Sequence, residues 1–420
     1  MTGHPAARLL APARPAAVLA AAVLAAAALA AAALLAAGCG TVTARPGPSG
    51  PSVPSVPPSL ATSLVAAGGS WAAVVMGGSP SQDNAFWQLF VRPGTSTAWK
   101  VATPPGVATN GGLVMAGLGS TSLLAGFRPG VDLTFSALIT TGNSGASWSP
   151  GGVLDPGLAD VPDALAAAPG SGRLIALLAA GRAEQSADSG TTWAALATRQ
   201  SLAASPAARQ CGLTTLTAAS YTPSGAPLLA GTCARPGTAG IFTYSGGQWR
   251  PDGPALPAAL AAQPVEVLGL RTSQAAGQAG TGKAASTALL VAGSGTAQSI
   301  LAAWSGDGGA QWTVSAPARA GAAGVRASGF GAAGAAWVIF ADGTTQSITG
   351  PGAAWRTLPP LPASTQTLAY GPAGALDALA VGDGKPGPGS ELTIWQLPPA
   401  AGAWTREQAI TVPIQYGSSG

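Results

Sequence analysis

The chain has 420 residues, of which 47% are hydrophobic and only 8% are charged, whereas an average soluble domain carries roughly 25% charged residues. Its 19 Lys and Arg face 15 Asp and Glu without any run of basic side chains, which excludes an extended nucleic-acid-binding patch. The single histidine is His4, in a segment that we expect to be removed. The mature chain therefore cannot build a Ser-His-Asp triad, a Cys-His pair or a His-ligated metal site.

The first predicted element is an export signal. Arg8 and Arg14 precede an apolar stretch over residues 16–38, and this order of basic, apolar and small residues is typical of a signal peptide. The junction Leu-Ala-Ala-Gly-Cys over residues 35–39 resembles a bacterial lipobox, although Ala36 stands where Leu is usual. The resemblance implies that residues 1–38 are a lipoprotein signal peptide and that Cys39 is lipidated. An uncleaved transmembrane anchor and secretion are the alternatives, and all three place the rest of the chain outside the cytoplasm.

A proline-rich segment follows. Residues 41–60 read TVTARPGPSGPSVPSVPPSL and lack apolar periodicity. Such a composition favours an extended, solvated chain of about 3.1 Å per residue, with a reach of roughly 60 Å. We therefore predict that residues 39–60 are a flexible tether between a lipid anchor and a globular domain. A plain disordered N-terminal segment would have the same composition.

Two cysteines remain if the first is acylated, and an even pair in an oxidising compartment favours a disulfide. Cys211 and Cys233 flank two strand-like runs, Leu213–Ser220 and Pro227–Gly231, which are joined by the turn-forming residues Thr222-Pro-Ser-Gly225. A hairpin over these residues would bring the two cysteine Cα atoms within disulfide distance. We therefore predict a structural disulfide between the two cysteines.

An eight-residue pattern, Ser/Thr-x-Asp/Asn-x-Gly-x-x-Trp, occurs three times. The copies are Thr141-Gly-Asn143-Ser-Gly145-Ala-Ser-Trp148, Ser186-Ala-Asp188-Ser-Gly190-Thr-Thr-Trp193 and Ser305-Gly-Asp307-Gly-Gly309-Ala-Gln-Trp312. They resemble Asp-box repeats, also called BNR repeats, which occur in sialidases and many other β-propellers. An Asp or Asn that bonds its own backbone two residues on, a Gly with positive φ and a Trp that covers the turn suit a hairpin corner. The resemblance implies a structural role at the blade periphery, away from a central site.

Degenerate copies extend the pattern to seven tryptophans. These are Trp99, Trp148, Trp193, Trp249, Trp312, Trp355 and Trp404, at intervals of 49, 45, 56, 63, 43 and 49 residues. Each interval holds short apolar runs divided by Gly- and Pro-rich turns, which is typical of propeller blades. We therefore predict an all-β fold over residues 61–420, a β-propeller of about seven four-stranded antiparallel blades, without a helix after the signal. Six or eight blades, a β-sandwich and two all-β domains are the alternatives.

Other motifs have plain structural interpretations. Thr272–Ser286 is a low-complexity stretch that we expect to be a loop insertion. Within it, residues 277–283 superficially match a phosphate-binding loop, but Ala284 stands where Mg²⁺ coordination needs Ser or Thr. Three acids near the last blade lack the spacing of a calcium-binding loop: Asp377, Asp383 and Glu391. We therefore predict no metal, cofactor or nucleotide.

Five tryptophans lie outside the repeats. They are Trp71, Trp87, Trp304, Trp337 and Trp395. Exposed aromatic rings would suit a sugar or peptide ligand, but all of these except Trp71 lie inside apolar runs. We therefore prefer packing between neighbouring blades as their role.

The resemblance to sialidases also implies an arginine cluster, a nucleophilic Tyr with a Glu partner, and an acidic Asp. No Phe-Arg-Ile-Pro-like element follows the tether, and the fragments Arg92-Pro93 and Arg128-Pro129 each follow a strand-like run, as a turn would. The candidate residues are few: Tyr221, Tyr244, Tyr370, Tyr416, Glu184, Glu266, Glu391 and Glu407. We predict no catalytic residues.

The sequence thus favours a lipid-anchored propeller on the outer face of the bacterial cytoplasmic membrane. Its predicted function is non-enzymatic binding or scaffolding, with a protein or a cell-wall glycan as the ligand and no nucleic acid as a partner. The alternative is a degenerate glycoside hydrolase of the sialidase type.

Overall fold

The computed structural model describes most of the chain beyond the predicted tether. The described residues are 62–66, 69–77, 86–94, 96–104, 113–119, 121–127, 137–153, 162–168, 171–178, 181–273, 285–295, 298–320, 324–371, 374–382 and 390–412. All of them belong to the unit Pro54–Gly420. The signal peptide, Cys39, the tether and the segment 274–284 lie outside the described residues, so what was predicted for them stays a prediction. No helix in the described ranges is long and apolar enough to cross a bilayer.

Seven antiparallel sheets follow one another along the chain, and each is built from four consecutive strands. Blade 1 contains β1 (Thr62–Ala66), β2 (Gly69–Gly77), β3 (Phe86–Arg92) and β4 (Lys100–Val101). Blade 2 contains β5 (Leu113–Gly117), β6 (Leu123–Phe127), β7 (Ala137–Thr141) and β8 (Ser149–Val153). Blade 3 contains β9 (Ala164–Ala167), β10 (Leu174–Leu178), β11 (Arg182–Ser186) and β12 (Ala194–Thr198). Blade 4 contains β13 (Leu213–Tyr221), β14 (Pro227–Cys233), β15 (Gly240–Ser245) and β16 (Gln248–Pro251).

The remaining three blades repeat this order. Blade 5 contains β17 (Val265–Ser273), β18 (Ala285–Ala292), β19 (Ser299–Ser305) and β20 (Thr313–Val314), with a short extra strand, β21 (Ala318–Arg319), paired to β19. Blade 6 contains β22 (Val325–Phe330), β23 (Ala336–Phe340), β24 (Thr345–Ile348) and β25 (Arg356–Thr357). Blade 7 contains β26 (Thr365–Tyr370), β27 (Leu376–Val381), β28 (Ser390–Leu397) and β29 (Thr405–Val412). The predicted all-β propeller of seven four-stranded antiparallel blades is confirmed.

The first strand of each blade lies innermost. First strands of neighbouring blades contact one another around the ring, and β1 contacts β26, so the ring closes between blades 7 and 1. Because every blade runs from its innermost to its outermost strand, all first strands begin on one face of the ring, here called the upper face, and end on the lower face. The turns between third and fourth strands, which hold the three repeat copies, therefore lie on the lower face. The connections from one blade to the next lie on the upper face.

The apolar core is divided among the blade interfaces. The described residues form seven buried apolar clusters, one between each pair of neighbouring blades. The second strands β10 and β23, with the sequences LIALL and AWVIF, are buried at every position. Strands whose two faces are both covered favour continuous apolar runs over alternation, which explains these sequences.

Two short helices between blades 3 and 4 correct the prediction that no helix follows the signal. The helix α1 (Arg199–Ala203) begins after Thr198, and α2 (Pro206–Cys211) begins after Ser205; both capping side chains accept a hydrogen bond from the first turn. Gly212 ends α2 with φ 69°. The helices are too short for apolar periodicity. In the sequence α2 is signalled only by its caps, Ser-Pro at the start and Gly at the end, and α1 only by its capping Thr198.

The predicted disulfide is present and fixes these helices to the ring. Cys211 ends α2 and Cys233 ends β14, and their Cα atoms are 5.2 Å apart. The predicted hairpin is formed by β13 and β14, with Leu213 opposite Cys233. Since β14 ends on the upper face, the bond holds the helical segment there.

The predicted loop insertion over Thr272–Ser286 is corrected at its two ends. β17 continues to Ser273 and β18 begins at Ala285, with Thr272 paired to Ser286. The hydroxyl groups of Thr272 and Ser286 lie 3.1 Å apart on the face of blade 5 that adjoins blade 4. Strand pairing therefore extends into residues whose composition suggested a loop.

Candidate functional site

The three repeat copies form one and the same hydrogen-bonded turn. The hydroxyl of the first residue donates to the Asn or Asp oxygen two positions on, in Thr141–Asn143 (3.0 Å), Ser186–Asp188 (2.7 Å) and Ser305–Asp307 (2.8 Å). The same hydroxyl accepts the backbone N–H of Gly145 (3.0 Å), Gly190 (2.9 Å) or Gly309 (2.8 Å). The Asn or Asp oxygen accepts the N–H four residues on, at 2.9 Å in all three turns, instead of the predicted N–H two residues on. The Ser or Thr and the Asp or Asn side chains of the repeat therefore form their hydrogen bonds within their own turn.

The carboxylates of these turns are held in their charged form. Hydrogen bonds from the Thr192 hydroxyl, the Thr192 N–H and the Ser186 hydroxyl lower the pKa of Asp188 to about 2. Bonds from the Gln311 N–H and a serine hydroxyl lower the pKa of Asp307. A carboxylate whose charge is stabilised in this way is a poor general base near neutral pH.

The seven repeat tryptophans occupy equivalent places, each directly before the fourth strand of its blade or, for Trp249, within it. Five indole N–H groups donate to the blade that precedes their own around the ring. The pairs are Trp99 to the Asp377 carboxylate (2.8 Å), Trp148 to the Ala102 carbonyl (3.0 Å), Trp312 to the Asp252 carbonyl (2.5 Å), Trp355 to the Ser315 hydroxyl (3.1 Å) and Trp404 to the Pro359 carbonyl (3.3 Å). Trp193 donates to the Gly190 carbonyl in its own turn, at 3.0 Å. Most of these side chains therefore join neighbouring blades as well as covering a turn.

The seam between blades 7 and 1 carries a buried polar cluster. No described strand is shared across this seam, because β1–β4 form blade 1 and β26–β29 form blade 7. Arg92, the last residue of β3, forms an ion pair with Asp377 of β27, and the two side chains are 4% and 2% exposed. The guanidinium also donates to the Tyr370 carbonyl at 2.9 Å. Asp377 accepts further bonds from the Trp99 indole N–H (2.8 Å) and the Gln396 amide (3.1 Å).

A second pair of bonds supports the same seam. The Gln408 side chain of β29 accepts the N–H of Trp99 and donates to its carbonyl, both at 2.8 Å. Burial raises the pKa of Asp377 and lowers that of Arg92, so for each group desolvation outweighs the attraction of its partner. This cluster corrects our interpretation of Arg92 as a turn residue. Asp377 forms its hydrogen bonds and its ion pair within this cluster. Glu391, the other described acid considered as a calcium ligand, forms an ion pair with Arg406 at 2.7 Å.

The described tyrosines and glutamates do not form the pair that a sialidase needs. Tyr221 and Tyr370 end their inner strands on the lower face, whereas Glu266 lies at the upper start of β17. Burial raises the pKa of both phenols, and the Tyr370 hydroxyl donates to the Ala336 carbonyl at 3.0 Å. Tyr244 packs against a repeat tryptophan on the outer part of blade 4. A nucleophilic phenol requires the opposite pKa shift.

Four polar residues occupy equivalent positions at the upper mouth of the ring. Each is the second residue of an innermost strand in blades 4 to 7: Thr214, Glu266, Arg326 and Gln366. In three of the four strands this residue is the extra residue of a β-bulge, since the pairing register shifts between its two neighbours. A bulge releases a residue from the ladder and re-aims its side chain, and bulges are frequent at rims and binding sites. We call these four residues the upper-mouth arc.

Two opposite charges lie in the arc, and neither has a counter-ion among the described residues. The Glu266 side chain is half-buried, makes no hydrogen bond or ion pair with the described part of the chain, and has its pKa raised by burial. Arg326 is exposed, and within the described ranges its guanidinium donates only to the Thr365 carbonyl, at 3.2 Å. The flanking groups are Gln366 and the Thr214 hydroxyl, which donates to a backbone carbonyl of β14 at 3.0 Å. The arc therefore offers an uncompensated carboxylate and most of the donors of a guanidinium to solvent.

The tryptophans outside the repeats do not contribute to this mouth. Trp71, Trp87, Trp304 and Trp337 are at most 4% exposed and lie in the clusters between blades. Trp395 packs against the cluster between blades 6 and 7. The predicted packing role is confirmed for the four tryptophans inside apolar runs, and Trp71 is buried between blades as well.

A shallow groove lies on the lower face between blades 2 and 3. It is lined by Leu118, Ser122, Thr140, Thr141, Gly142, Ser189 and Thr191. The groove has neither a charged nor an aromatic side chain, so it offers a ligand less than the arc does. The described residues contain no group of three or more His, Cys, Asp or Glu that could hold a metal ion.

The comparisons with known proteins establish similarity of fold. No family model and no curated protein matches the chain. Among solved structures, a putative 6-phosphogluconolactonase from Bacteroides uniformis is 14% identical with a TM-score of 0.52, over 82% of this chain and 96% of that one. YCF48 bound to D1 peptide is 17% identical (TM-score 0.40, 73% and 86%), and the Hadza microbial sialidase Hz136 is 13% identical (TM-score 0.40, 71% and 65%). At 14% identity the similarity to the lactonase structure is one of fold alone, and the activity has to be argued from the site.

Proposed function

We propose that this chain is a membrane-anchored, extracytoplasmic β-propeller that binds a protein or a cell-wall glycan at its upper mouth without chemical turnover. One observation carries the proposal: the upper-mouth arc, where Glu266 and Arg326 stand at equivalent positions of adjacent blades and find no counter-ion in the part of the chain that the structure describes. Keeping the Glu266 carboxylate half-buried without a partner is costly, and this cost is explained if a ligand supplies a partner for it and for the exposed Arg326.

The disulfide supports the proposed compartment. Bonds such as Cys211–Cys233 persist in oxidising surroundings and are rare in the cytoplasm. Together with the apolar segment and lipobox-like junction that precede Cys39, it favours a chain held outside the cytoplasmic membrane. We accordingly keep the assignment of the three turns as Asp-boxes, on the lower face, as the structural part of this proposal.

The absence of turnover is supported by how the described ionisable groups are used. Asp188 and Asp307 stabilise turns, Asp377 closes the ring, and both buried tyrosines keep their protons. None of these groups is placed as a nucleophile or as a general acid next to one.

Photo-crosslinking in the cell tests the binding proposal. A photo-crosslinking amino acid in place of Gln366, on the arc, is compared with the same amino acid in place of the exposed Thr191 on the lower face. We expect a discrete protein or glycan adduct from position 366 alone. Equal capture at both positions, or none at position 366, would contradict binding at the upper mouth.

Two further measurements test the anchor and the enzymatic alternative. Cys39→Ser is expected to abolish labelling by a radioactive fatty acid and to move the chain out of the lipid-anchored fraction; unchanged labelling would refute the anchor. The purified chain is expected to leave a fluorogenic sialoside intact. Saturable hydrolysis that disappears in Glu266→Gln would instead favour the glycoside hydrolase.

A further inference from the structure

The charges of the upper-mouth arc also define the chemistry of the ligand, and this inference rests on the proposed function. Glu266 pairs across the strands with Val291, which belongs to the cluster between blades 5 and 6. Cross-strand partners lie on the same face of a sheet. The carboxylate of Glu266 is therefore on the face of blade 5 that adjoins blade 6, the blade that carries Arg326.

The two charges lie at equivalent positions of adjacent blades, and neither is the partner of the other. Among the described residues no salt bridge involves Glu266, and the single hydrogen bond of the Arg326 guanidinium is to the Thr365 carbonyl of blade 7. A guanidinium has five N–H donors in a planar fork that matches a carboxylate. Adjacent blades thus present an anion receptor and a cation receptor side by side.

A neutral ligand would be a poor match for this pair. A ligand that covers the arc removes water from both charged side chains. The hydroxyl groups of a neutral ligand replace only part of the hydration free energy that is lost. Sugars commonly gain additional binding free energy by stacking on exposed aromatic rings. The five tryptophans outside the repeats do not offer such rings, because they are buried between blades or packed against the apolar clusters there. A ligand with its own charges compensates both receptors.

We infer that the upper mouth recognises a peptide segment that carries both an acidic and a basic group. The carboxylate of the peptide pairs with Arg326, and its ammonium or guanidinium pairs with Glu266. The amide of Gln366 and the hydroxyl of Thr214 flank the charges and suit the polar backbone of an extended peptide.

The test is a peptide array probed with the full-length chain in detergent. The probes are capped tetrapeptides composed of Lys, Glu, Ser and Ala in all combinations. We expect retention to require both Lys and Glu in the same peptide. In Glu266→Gln, the preference for peptides that contain Lys is expected to fall about tenfold, while the preference for peptides that contain Glu remains. In Arg326→Gln, the preference for Glu is expected to fall about tenfold, while the preference for Lys remains.

A matched control is the double variant Arg406→Gln with Glu391→Gln, which removes an exposed ion pair from the outer strands of blade 7 and is expected to leave the profile unchanged. Circular dichroism and Tm confirm that each variant is folded. The inference would be overturned if neutral peptides were retained as well as peptides that contain both Lys and Glu. It would also be overturned if each arc variant reduced the preference for Lys and the preference for Glu equally. If no peptide binds while position 366 still crosslinks a ligand, the inference fails and the proposed function stands. If the crosslink is absent as well, both fail.

Discussion

Replacing Asp377 with Asn tests whether the polar cluster closes the ring. Asn keeps the size of the side chain but removes the charge that faces Arg92, whose side chain is 4% exposed. The guanidinium would then be buried beside neutral acceptors alone among the described residues: the Tyr370 carbonyl, a serine hydroxyl and the new amide oxygen. Removing one partner of a buried ion pair costs about 3–5 kcal/mol, so we expect the free energy of unfolding to fall by that amount.

Equilibrium unfolding in guanidinium chloride measures this loss, and hydrogen exchange locates it. Because blades 7 and 1 are not joined by a connecting loop as consecutive blades are, these two blades are expected to lose protection before blades 2 to 6. The exposed pair Arg406–Glu391 is the control, and Arg406→Gln is expected to cost about 0–1 kcal/mol. Equal small losses in both variants, or uniform loss of protection, would refute a closing role for Asp377.

Three other predictions follow from the described geometry. Reducing the Cys211–Cys233 disulfide, which spans 22 positions, is expected to cost about 3 kcal/mol by denaturant unfolding, and an unchanged midpoint would contradict its role. The pKa of Asp188 is lowered from 3.8 to about 2 on folding. Its contribution to stability is therefore present above about pH 4 and is lost as the pH falls toward 2. NMR titration of the Asp188 carboxyl measures this pKa, and a normal value would refute the turn geometry. Gly309→Ala is expected to cost more than about 1 kcal/mol, because φ is +106° and the new Cβ would lie 2.8 Å from a neighbouring Cβ, whereas Gly306→Ala meets no atom within 4 Å and should be nearly neutral; similar Tm values for the two variants would contradict this.

Local chemistry explains which features could be predicted. The hydrogen bonds of the repeat turns join residues two to four positions apart, so their pattern is visible in eight residues of sequence. The tryptophan that follows fixes the start of the fourth strand, and its recurrence gives the number of blades. The disulfide was predictable for the same reason, since its cysteines flank one hairpin. The helices α1 and α2 were missed because each is too short to show periodicity.

The sequence by itself determined the repeating blade, because a turn and the strands around it are specified by neighbours in the chain. Only the tertiary structure decided the seam and the upper-mouth arc. Arg92 and Asp377 are 285 positions apart, and nothing near either residue indicates its partner. The residues of the arc belong to four different blades, and three of them are re-aimed by bulges that depend on strand register. Closing the ring brings such distant positions together, because radial symmetry places equivalent residues of successive blades around a common axis.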